Sequence, residues 1–73
     1  MAFALLELVV LTRDLPELGL RSGDVGTVVE VYPRGGLEVE FVQPNGYTKA
    51  LATLATSDFR SVTADDVLTV RPQ

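Results

Sequence analysis

The sequence predicts an all-β fold, a small barrel of five to six short antiparallel strands with one long loop and a short helical turn. Three observations lead there. Short β-branched and apolar runs recur along the chain, and clusters of Gly, Pro, Asn and Asp separate them. The segment Leu37-Glu38-Val39-Glu40-Phe41 alternates with the period of two that a half-buried strand requires. The 73 residues, 47% of them apolar, suit one compact domain over positions 1–73, with no repeat or linker breaking it.

The first run, Leu6-Glu7-Leu8-Val9-Val10-Leu11, reads as a buried strand. The apolar stretch from Phe3 to Leu11 lacks the basic n-region and small-residue cleavage site of a signal peptide, and it is too short to span a bilayer. A long connection, Thr12 to Gly23, follows; Leu15, Leu18 and Leu20 are expected to pin it to the core. The next strand covers Asp24 to Tyr32, and Gly26 within it suggests a bulge or sharp bend. Pro33-Arg34-Gly35-Gly36 then turns the chain.

Cross-strand partners point to the same face, so core residues must pair with core residues. Pairing Val31 with Leu37 meets that condition; it sets Glu30 opposite Glu38, Val29 beside Val39 and Thr27 beside Phe41. An odd loop from Tyr32 to Gly36 is then needed, and its two glycines supply the positive φ. The second hairpin turns at Gln43-Pro44-Asn45-Gly46. Pairing Val42 with Tyr47 there places Val39 opposite Ala50 and Glu40 opposite Lys49.

Thr48 to Ala55 is open between strand and short helix, because alanine and leucine suit both. Ser57-Asp58-Phe59 predicts one helical turn capped by Ser57 or Thr56. Thr63 to Asp66 reads as a polar turn, and Val67-Leu68-Thr69-Val70 as a last strand. The expected core comprises Val29, Val31, Leu37, Val39, Phe41 and Leu54. Such short, glycine-bent strands favour an SH3-like barrel over a split sandwich.

The run Leu20 to Val31, with Gly-Asp-x-Gly-Thr-Val at its centre, resembles the opening of many SH3-like and KOW-like barrels. A fuller pattern adds Val10-Leu11-Thr12, Asp14-Leu15-Pro16, Val39-Glu40-Phe41, Leu54, Asp58-Phe59-Arg60 and Val67 to Arg71. Over nearly the whole chain it is similar to a bacterial domain family of unknown function. That resemblance implies a stand-alone small barrel and carries over no catalytic residue.

What the chain lacks and where its charge lies bound its function. Without histidine or cysteine there is no ready general base or thiol nucleophile, no disulfide and no thiolate zinc site. No cofactor, no metal and no catalytic residue is expected, so the chain is read as a non-enzyme. Asp65 and Asp66 cap a turn, and the glycine-rich stretches lack the lysine and following helix of a phosphate cradle.

The net charge is −4, from ten acidic and six basic residues, which disfavours nucleic acid and suits a partner with a basic surface. Glu30, Glu38 and Glu40 are the candidate protein-binding residues, on one wet face of the central hairpin. Tyr32 with Arg34, and Tyr47 with Lys49, are candidate loop contacts, the only aromatic and basic pairs that a nucleic-acid barrel could use. The expected role is an accessory or antitoxin-like regulatory subunit; a KOW- or Tudor-like nucleic-acid binder is the alternative. Absent cysteine fits the cytoplasm. A thin core, an apolar Phe3-Ala4-Leu5-Leu6 start and free strand edges suggest a homodimer.

Overall fold

The computed structural model describes residues 3–43 and 45–66. Five strands form one antiparallel sheet: β1 (Leu8–Leu11), β2 (Val25–Val31), β3 (Leu37–Val42), β4 (Thr48–Leu54) and β5 (Phe59–Ser61). Their order across the sheet is β4-β3-β2-β1-β5, so β4 and β5 are its edges among the described residues. The fold is all-β. Helix among the described residues is limited to single 3-10 turns at Pro16–Leu18, Thr56–Asp58 and Ala64–Asp66.

One face of the sheet holds the core. Val9 and Leu11 from β1, Val28 from β2, Leu37, Val39 and Phe41 from β3, Ala52 from β4 and Phe59 from β5 converge there. The long connection closes over the same core instead of reaching into solvent. Leu15 and Leu20 exchange backbone hydrogen bonds of 2.9 and 3.1 Å around the Pro16–Leu18 turn, and both side chains are buried. Gly19 ends that turn at φ 71°, a left-handed conformation suited to glycine. Asp14 and Asp24 accept the backbone N–H groups of Ser22 and Arg21 in the rest of the loop. Leu18, expected to help pin it, stays exposed.

The β2–β3 hairpin follows the expected register only at its tip. Val31 pairs with Leu37 and Glu30 with Glu38 around the odd loop, whose Gly35 and Gly36 have φ of 97° and 102°. A bulge then intervenes, and Val28, not Val29, pairs with Val39; Thr27 meets Glu40, not Phe41. Of the six expected core residues, Leu37, Val39 and Phe41 are buried and Leu54 packs partly against them. Val29 is displaced by the bulge, and Val31, near the open end of the sheet, is 41% exposed.

The bulge of β2 falls between Val28 and Glu30, and Gly26, expected to mark a bulge or sharp bend, serves for close approach. A Cβ there would stand 2.5 Å from Val39 Cγ1, 2.9 Å from Phe41 Cε1 and 3.0 Å from the Glu40 carbonyl oxygen. Glycine lets β2 press directly onto the side chains of β3.

A second bulge corrects the next hairpin. Val42 pairs with Thr48 and Phe41 with Ala50, leaving Lys49 as the extra residue. Val39 therefore faces Ala52 and not Ala50, and Glu40 faces Leu51 and not Lys49. The large-against-small packing survives, because the slip is by two residues and preserves the face. The segment that suited strand or helix is strand β4. The tight turn after it forms at Thr56–Asp58, but its cap is reversed: neither Ser57 nor Thr56 caps it, and the Asp58 carboxylate reaches back to the Ala55 N–H at 3.2 Å. The polar turn at Thr63 to Asp66 is likewise held by Asp66, which accepts the Thr63 N–H at 2.7 Å. The expected strand Val67 to Val70 and the turn residue Pro44 lie outside the described residues.

Candidate functional site

The outer face of the central hairpin is built by alternation. Because Leu37, Val39 and Phe41 point to the core, Glu38 and Glu40 between them must point outward. Glu30, paired with Glu38 across the ladder, joins them. Three carboxylates thus share one side of two adjacent strands. Like charges directly opposite one another repel.

The neighbours soften this repulsion without neutralising it. The Tyr32 hydroxyl donates a short hydrogen bond to Glu38 Oε1, and Thr48 Oγ1 donates to Glu40 Oε2 at 2.7 Å. The Glu38 hydrogen bond raises the Tyr32 pKa above its ordinary value; partial burial and the charges of Glu38 and Glu30 act in the same direction. Both described ion pairs lie elsewhere. Arg13 Nε meets Asp58 Oδ1 at 2.7 Å, and Arg60 meets Asp66 through two contacts of 2.7 Å. Among the described residues, no cation pairs with Glu30, Glu38 or Glu40. Lys49, expected opposite Glu40, is diverted by the bulge and forms no ion pair in that set.

The candidate loop contacts are not brought together. Tyr32 is committed to Glu38, so its ring belongs to the acidic face. Arg34 lies exposed in the β2–β3 loop, and Tyr47, 73% exposed, stands beyond the opposite end of β3. Six strand residues separate the two turns, or roughly 20 Å at the rise of an extended strand. They form two separate tips, not one stacking platform.

Sequence reasoning missed a cleft at the far end of this hairpin. It encloses about 370 Å³ between Leu20, Asp24, Val25, Phe41, Val42, Gln43 and Lys49. It depends on the loop folding back so that Leu20 meets β3, and on the bulge that re-aims Lys49. Both are non-local effects, and no local pattern announces them. Among the described residues no group of three or more acidic, histidine or cysteine side chains is placed to hold a metal ion.

No helix in the described region is long and apolar enough to cross a membrane. No curated protein and no solved structure matches the chain. A family model does match, over residues 5–61, which takes in all five strands and the acidic face. The chain belongs to the family described as a domain of unknown function, DUF4926.

Proposed function

We propose that this chain is a small non-catalytic interaction module of SH3-like build, an accessory or antitoxin-like subunit whose acidic hairpin face meets a basic protein surface. The observation that carries this reading is the unneutralised set Glu30, Glu38 and Glu40. The described arginine–aspartate pairs hold loops and turns, whereas this face is left with negative charge and a repulsive Glu30–Glu38 pair. A basic partner would relieve that repulsion and would be steered to the face by long-range attraction. Tyr32 supports the role by fixing the Glu38 carboxylate, which lowers the ordering cost on binding.

The nucleic-acid reading has less support. Its two aromatic tips are separated, one tyrosine is tied to a carboxylate, and the net charge of −4 repels phosphates. The test begins with the partner recovered from the native cell by pull-down. Its footprint, mapped by amide hydrogen exchange, is expected on β2, β3 and the adjoining β4. Protection confined to the 12–23 connection would place the interface there instead.

A further inference from the structure

The acidic face ends beside an open strand edge, and the two together define a more specific partner. Among the described residues β4 pairs with β3 on one side only. Ala50 to Leu54 make no backbone hydrogen bond outside that pairing among the described residues. Exposed edges are usually protected by charges, prolines, bulges or shortness. The opposite edge, β5, is three residues long and carries Arg60 paired to Asp66. β4 is protected only at its start, by the bulge and Lys49. From Ala50 to Leu54 the edge has no charge, no proline and no bulge.

We infer that β4 accepts an extended partner segment as an added strand, one that alternates basic and small apolar residues. This rests on the acidic-face reading and names the partner's form. On the core side Ala52 is buried and Ala50 and Leu54 are partly buried, so small side chains such as valine on an added strand would extend the core sideways past Ala50 and Leu54. On the outer side, Leu51 and Thr53 stand opposite Glu40 and Glu38. A residue on the added strand beside Thr53 or Leu51 would lie roughly 10 Å from those glutamates, two strand spacings. Extended lysine or arginine side chains cover that gap; shorter polar ones do not. Backbone hydrogen bonds would supply affinity and the alternating side chains specificity, the usual division in strand addition. A second copy of this chain fits less well, since its own β4 brings one lysine and no alternating basic row.

The test uses the full chain and a capped heptapeptide alternating lysine and valine. Two derivatives carry N-methyl groups on alternate residues, each blocking one edge of the peptide. Binding should slow amide exchange at Ala50 to Leu54. One derivative should bind more than about tenfold more weakly, as several lost hydrogen bonds imply, while the other binds as the parent does. The variant E38Q/E40Q should weaken binding, and more so at low salt. Binding without protection of β4, with both derivatives equivalent, would overturn strand addition and leave the acidic-face reading standing. No binding, or binding unchanged in E38Q/E40Q, would overturn both. Protection of β4 that rises with protein concentration alone would make a second copy the occupant and overturn the basic-strand partner.

Discussion

Gly26 and Asp66 show how single side chains set this fold. At Gly26 the obstruction includes the Glu40 backbone oxygen at 3.0 Å, which cannot swing aside as a flexible side chain could. Gly26→Ala is expected to cost about 1–3 kcal/mol, the usual range for overpacking. Urea denaturation should show a lowered midpoint with an unchanged slope; an unchanged midpoint would contradict the close approach. Asp66 acts through charge. Its carboxyl is held well below the usual range, first by the Arg60 guanidinium and then by the Thr63 N–H. A depressed folded-state pKa stabilises the fold above the unfolded value of about 3.9, and the gain is lost progressively as the pH falls from there through the lower folded-state value. Melting of Asp66→Asn should therefore be lower than wild type at pH 6, with the two curves converging as the pH is brought toward 2. A constant difference across that range would remove the Arg60–Asp66 pair as the cause.

At the scale of elements, two bulges decide what each strand presents. Val28 is fully buried while Val29, its neighbour, is only half covered. Val28→Ala should cost about 2 kcal/mol or more for two deleted methyl groups and the cavity they leave, and Val29→Ala less than about 1 kcal/mol. Equal losses, read from urea midpoints, would argue for an unbulged ladder. These positions also show what was legible in the sequence. The alternation of Leu37 to Phe41 fixed one strand's faces, and the two glycines at 35 and 36 fixed the odd loop. Hence the shared face of Glu30, Glu38 and Glu40 is legible in the sequence. A bulge leaves no such mark, because Val28 and Val29 are identical in type and either could face inward. Lys49 was misplaced for the same reason, and with it the charge balance of the acidic face. The cleft beside Leu20 was hidden because it joins residues far apart in sequence.

The whole molecule combines a thin core with apolar and acidic surface left uncovered. Phe3 joins the core, but Leu5 and Leu6 are 59% and 70% exposed. Leu6 also has φ 70°, a conformation that costs a non-glycine residue about 1 kcal/mol. Leu6→Asn should relieve part of that cost, since asparagine tolerates the left-handed region. We expect the wild type to sediment as a dimer at high micromolar concentration and Leu6→Asn to shift it toward monomer. A wild-type monomer at that concentration would contradict self-association through this turn.

If the acidic face meets a basic partner, it should govern how fast the two associate. The rate constant for binding the recovered partner is compared between wild type and Glu30→Lys/Glu38→Lys, at low and moderate salt. Both proteins must first melt cooperatively. Glu30 is exposed, and a lysine pair repeats the like-charge opposition already present instead of adding to it, so the fold should survive the exchange with a small loss from the broken Tyr32–Glu38 hydrogen bond. Association of the double variant should be slower by about tenfold or more at low salt, with the salt dependence of the wild type largely lost, because complementary charge acts mainly on encounter. Equal rates for the two proteins at both salt concentrations would contradict the acidic-face reading.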